Sequence, residues 1–422
     1  MNETKKKVSI LLDKKINETV RILADFVQYP SLAGYEKEAQ EFIAKEMKLA
    51  SLDVDLWEPT IEDTYINPTF LTTVDIFSGS PNVVGTFKGT GGGKSMILNG
   101  HVDVVPVNDS DWDKSPWSGA YEDGRIYGRG ASDMKGGLVS HLMAIKAIAE
   151  SGIKLKGDVY LQSVIGEETG GIGTLSAISR GYCADGAIIS EPTDLVICPV
   201  SMGAMWFRIF VKGRAAHAGT SEFGVNAISK MCLVIGALNE FNDFRSKNTR
   251  HPLYKNILNP FNINVGAVRG GSFPTSVPDE IYIEGRMAIS PDEEVEEART
   301  ALENAVMEAA TNDEWLVTMP PQVEWYGFCL SPGGISLEHP LVNTVKSNCL
   351  SLGLSETVIS GTPWGTDAGA LIKYANTPTI VFGPGPGSTA HQANEYIDVQ
   401  KVIEASKVIA CTLLDWCDYE KL

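Results

Sequence analysis

From Met96 onward, short apolar runs alternate with helix-length segments, and this alternation limits the fold more than any other feature of the chain. Met96-Ile97-Leu98 reads as a buried strand and 137–151 as a helix carrying Leu138, Val139, Leu142, Met143, Ile145, Ala147 and Ile148. Residues 158–165 read as a strand, 173–180 as a short helix and 186–189 as a strand. Strands and helices in this order predict an α/β fold, a mainly parallel sheet with helices on both faces. Such sheets bind ligands in loops beyond the carboxyl ends of their strands. Upstream, 8–50 reads as helices, with Ala39, Phe42, Ile43 and Met47 at helical spacing. Residues 51–90 read as short strands around a loop, 58–81, rich in Pro, Thr and Asp.

The alternation is interrupted near Met202. There follow a strand at 206–211, a helix at 224–244 and strands at 261–268 and 280–289. An acidic helix at 291–311 opens on Ser290 and Asp292-Glu293-Glu294, and a last strand is expected at 317–325. This is the order of the ferredoxin-like split motif. The first pattern then resumes with a helix at 339–352, a strand at 379–382 and a helix at 399–416. The expected division is a catalytic domain of 1–200 and 329–422 with 201–328 inserted into it. Two domains also suit a chain of 422 residues.

A net charge of −18 argues against nucleic acid or an anionic membrane as partner. No stretch approaches 18 apolar residues, and Met1–Lys15 lacks the apolar core of a signal peptide, so a cytoplasmic protein is expected. The seven cysteines have no zinc-ribbon spacing and read as reduced packing residues. No Gly-x-Ser-x-Gly elbow occurs, which disfavours a serine hydrolase.

The chemistry gathers at strand ends. In Asn99-Gly100-His101-Val102-Asp103, the His and Asp lie two apart and point to one side of a strand. That spacing suits a metal-bound imidazole braced by a carboxylate on its other ring nitrogen. Downstream come Asp133 in Ser132-Asp133-Met134-Lys135-Gly136-Gly137, Glu167-Glu168, Glu191 in Ser190-Glu191-Pro192, and His391 in Ala390-His391-Gln392. His101, Asp133, Glu168, Glu191 and His391 supply two imidazoles and three carboxylates. One bridging carboxylate would give each of two ions a His, a terminal carboxylate and the bridge, leaving a position open for water. Nitrogen and oxygen donors suit two Zn2+, with Co2+ or Mn2+ as substitutes. In Glu167-Glu168 one carboxylate can bind metal while the other takes the proton of an attacking water.

This ordered set resembles the dinuclear-zinc aminoacylase and carboxypeptidase family, which includes acetylornithine deacetylase, succinyl-diaminopimelate desuccinylase and glutamate carboxypeptidase. The resemblance runs from about Val20 to Trp416. It implies the zinc-dependent exopeptidase fold, with the insert serving as dimerisation or lid domain. It further implies His101 and Glu191 on the first metal, Glu168 and His391 on the second, Asp133 as the bridge and a cis peptide after Asp133. Asp103 matches the acid that orients His101, and Glu167 the general base. His217 matches a histidine that reaches a neighbouring subunit's site, hence a homodimer. Arg286 matches an arginine that pairs with a substrate α-carboxylate. Gly365-Thr366-Asp367 and the loop 383–388 with Gly385 are expected near substrate, with Asp367 structural. Many relatives carry Asn where Ser276 stands here, which bears on substrate rather than on the metals.

The implied activity is hydrolysis of a small N-acyl amino acid or related amide, most like acetylornithine deacetylase. A formylaminopyrimidine deformylase (whose branch the loop after Trp57 also resembles), a desuccinylase and a dipeptidase are the alternatives. A non-catalytic metal-binding protein on the same fold would be marked by loss of Glu167, which is present. His141 is expected to be packing or solvated, and His339 to start a helix.

Overall fold

Three helices, Glu3–Lys14, Ile16–Val27 and Lys37–Leu49, precede the first strand. The computed structural model describes residues 1–74, 77–108, 111–354 and 357–420; residues 75 and 76 of the expected loop 58–81 lie outside it. The large sheet runs in spatial order Asp53–Trp57, Asn82–Phe87, Val159–Val164, Met96–His101, Ala187–Ile189, Thr379–Val381, Ile197–Ser201 and Gly333–Gly334. Ile359–Thr362 also pairs with Ile197–Ser201. The four central strands, from Val159–Val164 to Thr379–Val381, are parallel as expected. Antiparallel pairings flank this parallel centre.

Strand alternation explains the two helical layers. Met96 and Leu98 are buried in the cluster that holds Leu138 and Leu142 of helix Gly136–Glu150 and Val402 and Ile409 of helix Val399–Trp416. Ile97, between them, turns to the other face and meets Ala368 and Leu371 of helix Ala368–Ala375. Helix Gly136–Glu150 is apolar nearly all round, as befits an element enclosed on every side.

Residues 203–330 build a second, four-stranded antiparallel sheet with the order Ile263–Gly270, Glu280–Ile289, Gly203–Lys212, Gln322–Leu330. Helices Ala227–Asn248 and Val295–Thr311 share a separate apolar cluster with it, in the split βαβ arrangement. The expected strand at 317–325 begins later. Asp313 accepts from the amides of Trp315 and Leu316, which starts a short helix, Glu314–Thr318. Pro320-Pro321 then ends it, and the strand is Gln322–Leu330. Among the described residues no helix is long and apolar enough to cross a membrane.

Candidate metal and hydrolase site

The carboxyl ends of the parallel strands converge on one cavity of about 870 Å³, lined among others by Asp103, Asp133, Glu167, Glu168, Glu191 and His391. His101 closes strand Met96–His101 and is buried. Its Nδ1 lies 2.9 Å from the main-chain oxygen of Asp103. A carbonyl only accepts, so Nδ1 carries a hydrogen and Nε2 is the nitrogen turned to the site. Nε2 lies 3.2 Å from Asp133 Oδ1 and 3.7 Å from Glu191 Oε1.

Asp103 therefore braces the site differently from the expectation. Its carboxylate stands 3.6 Å from His101 Nδ1. The hydrogen bonds it accepts come from the amides of Glu167, at 3.3 Å, and Glu168, at 3.1 Å. The acid thus orients the Glu-Glu turn, while its own backbone orients the imidazole.

Asp133 sits in the tight turn Ala131–Lys135 ahead of helix Gly136–Glu150, and the Asp133–Met134 peptide is cis. On the far side of Asp133, His391 Nε2 lies 3.4 Å from Asp133 Oδ2 and 2.9 Å from Glu168 Oε1. Asp133 thus stands between the two imidazoles, each facing a different carboxylate oxygen. His101, Asp133 and Glu168 offer ligand atoms all within 4.8 Å of one another.

The electrostatics call for a cation. Burial, and then the charges of Glu191 and Glu168, push Glu167 well above the usual carboxylate range against the pull of His101. Glu191 is raised in the same way by burial and by Asp133 and Glu168. Burial opposes charge on His101, yet Asp133 and Glu191 carry it well above the ordinary imidazole range. Hydrogen bonds that His391 donates to Asp133 and Glu168 lift it to about 10, against burial. Glu191 Oε1 is buried without a hydrogen-bond partner. A buried carboxylate oxygen left open beside an imidazole nitrogen is a donor set that suits a divalent ion. His101, Asp133 and Glu168 fit such an ion.

Sequence reasoning missed the support beneath Asp133. Buried Glu395 accepts from the amides of Ser132 at 2.9 Å and Asp133 at 3.1 Å, and pairs with Arg129 at 2.6 Å. Glu395 lies four residues after His391, beyond the marked segments, and no motif singles it out. His141, expected as packing or solvated, is buried; its Nε2 lies 2.6 Å from the hydroxyl of Ser190, next to Glu191. His339 starts helix Pro340–Ser351, its Nδ1 accepting from Leu341.

The other expected residues divide. Arg286 and Gly365 line the cavity. Arg286 donates to Asn262 Oδ1 at 3.2 Å and has no carboxylate partner among the described residues. Thr366 lies behind the wall, its hydroxyl 3.0 Å from Ser201 Oγ. Gly385 is structural. Its φ is +92°, and a Cβ there would stand 2.6 Å from Ser132 Oγ. The loop reaches the cavity through Gly387 instead. Buried Asp367 accepts from Thr174 at 2.6 Å, outside the ligand cluster. His217 is exposed on the small two-stranded sheet opposite Ser276 and does not line the cavity of its own chain.

The sequence model described as Peptidase family M20/M25/M40 matches residues 97–415. A Bacillus subtilis (strain 168) protein named N-formyl-4-amino-5-aminomethyl-2-methylpyrimidine deformylase is 35% identical over 376 residues, covering 82% of this chain and 85% of that protein. A Halalkalibacterium halodurans protein of the same name is 31% identical over 434 residues, covering 97% of each. The fold matches the crystal structure of an M20 family metallo-carboxypeptidase, Sso-CP2 from Sulfolobus solfataricus, with a TM-score of 0.74 at 17% identity, over 94% of this chain and 98% of that one.

Proposed function

The chain belongs to peptidase family M20/M25/M40, and on that premise we propose that it removes the formyl group from an N-formylated aminomethylpyrimidine, giving formate and the free amine. It is a metal-dependent hydrolase of amide bonds. The observation that carries the choice of acyl group is the similarity to the two deformylases, one of them spanning nearly the whole chain. Acetylornithine deacetylase, first among the sequence expectations, gives way to this reading. A deacetylase or desuccinylase remains the second reading because Arg286, uncompensated at the cavity, suits a substrate carboxylate.

In this proposal His101 and Glu191 would hold one ion and His391 and Glu168 the other, with Asp133 between the two imidazoles and shared by both sites. The ions are Zn2+, with Co2+ or Mn2+ as substitutes. When bound they polarise the formyl carbonyl and acidify the attacking water. Glu167, buried at the cavity wall, accepts the water proton and returns it to the departing amine nitrogen. Asp103 fixes both glutamates of the turn through their amides. Glu395 and Arg129 hold the Asp133 turn.

Residues 201–328 act as lid and dimerisation domain, and exposed His217 enters the site of a second copy in a homodimer. The separate apolar cluster of this segment supports that division, although strand Gln322–Leu330 runs two residues past the expected boundary. Seven free cysteines support a reducing, cytoplasmic setting.

The test is which acid is released. Metal-loaded protein is offered the formylated pyrimidine, N-acetylornithine and N-succinyl-diaminopimelate, and the products are read by proton NMR. Formate alone supports the proposal; acetate or succinate in its place selects the second reading.

A further inference from the structure

Beyond the metal cluster, the cavity wall carries a built aromatic surface. Strand Gln322–Leu330 pairs with Gly203–Lys212 so that Tyr326 faces Trp206 and Cys329 faces Met205, which leaves Gly327 and Phe328 in a bulge. Gly327 has φ +69°, and a Cβ there would stand 3.0 Å from Trp206 Cε3 and 3.1 Å from Thr73 Cγ2. Backbone conformation and crowding both demand glycine at that point. The bulge brings Phe328 onto Trp206, with ring centroids 5.5 Å apart and planes at 26°. Arg286 lies directly across from Trp206 on strand Glu280–Ile289, so indole and guanidinium leave the sheet on one face. From the large sheet's side, Trp364 rests on Gly387, where a Cβ would stand 2.3 Å from the indole Cη2. Trp206, Phe328 and Trp364 all line the cavity that holds the acids.

Charge narrows the occupant. The carboxylates lining the cavity are Asp103, Asp133, Glu167, Glu168 and Glu191, all within the metal cluster or bracing it. The second ammonium of a diamino acid would meet aromatic faces and Arg286 with no further acid to pair with, at a desolvation cost. A flat, uncharged ring loses little water and gains stacking on such faces.

Resting on the deformylase reading, we propose that Trp206, Phe328 and Trp364 form the subsite for a flat heteroaromatic ring on the amine half of the substrate. This subsite selects ring-bearing amides over aliphatic ones of equal size. Trp206 and Phe328 are specificity-determining residues, and the Gly327 bulge is the device that pairs them.

The test compares N-formylbenzylamine with N-(cyclohexylmethyl)formamide, equal in size and differing in flatness. Wild-type protein is expected to favour the aromatic formamide by tenfold or more in kcat/KM. Trp206→Leu and Phe328→Leu are each expected to reduce that ratio about tenfold, with Trp206→Phe restoring most of it. A merely structural loss would lower both rates and leave the ratio in place. Equal wild-type rates, or a ratio unmoved by the substitutions, overturns the subsite while leaving deformylation intact. Where neither formamide is cleaved, the deformylase reading stands or falls on formate release from the formylated pyrimidine, and binding of benzylamine against cyclohexylmethylamine by calorimetry decides the subsite. Tenfold tighter benzylamine supports it, and equal affinity overturns it.

Discussion

Glu395 and Glu36 show how buried acids that touch no substrate shape this site. Replacing Glu395 with Ala strips the amides of Ser132 and Asp133 of their acceptor and leaves Arg129 buried and unpaired. The expected cost is about 3–5 kcal/mol of stability, read by urea unfolding. A ~10–100-fold loss of metal affinity is expected beside it, read by competitive chelation. Glu36 is 2% exposed; burial and then the charge of Asp103 push it up to about 7, against a hydrogen bond from Ser80. Between its ordinary 4.5 and about 7, the folded chain keeps a proton that the unfolded chain releases. Its contribution to stability is therefore full below that window and falls as pH rises through it, by up to about 1.4 kcal/mol per pH unit. Glu36→Gln should flatten this fall; an unaltered slope of unfolding free energy against pH would contradict the assignment.

The loop after Trp57 ties two elements together. Trp57 Nε1 donates to Ser176 Oγ at 2.8 Å, and Ser176 and Ser179 donate to Asp63, whose side chain also accepts from the Thr60 amide. Farther on, Arg299 of helix Val295–Thr311 donates to the carbonyl of Thr69. Asp63→Ala should cost about 1–2 kcal/mol and expose the loop to limited proteolysis. Full resistance would show that the strap is held elsewhere. The long elements were legible because periodicity and burial agree in them: Met96–His101, Gly136–Glu150 and Val399–Trp416 lie within a few residues of expectation. Ile197–Ser201 was missed because Pro199 argues against a strand, yet Pro199 sits where its carbonyl accepts from Ile335 and no amide is needed. Arg125–Tyr127 and Tyr396–Asp398 are too short to show a period. The motifs marked His101, Asp133, Glu168, Glu191 and His391, which the fold brings within ion-pair distance of one another. Glu395, Trp206 and Phe328 were not, because they act through contacts between distant segments that no local spacing records.

At the scale of the whole molecule, a bound divalent ion would offset the mutual repulsion of Glu167, Glu168 and Glu191. Dialysis against a chelator should abolish hydrolysis and lower the melting temperature, and two equivalents of Zn2+ per chain should restore both. A melting temperature indifferent to metal would contradict the fit of the donor set. The proposed homodimer predicts twice the chain mass of 45.6 kDa in sedimentation at assay concentration, and a His217→Ala variant that loses activity while staying dimeric and metal-replete. The most direct measurement is kcat/KM for the formylated aminomethylpyrimidine with wild-type protein and Glu167→Gln, with metal content determined on the same samples. Formate release by the wild type, reduced at least ~10²–10⁴-fold in a variant that keeps its metal, is the predicted result. A metal-replete wild type that releases no formate, or a variant that works as well as the wild type, would contradict the account.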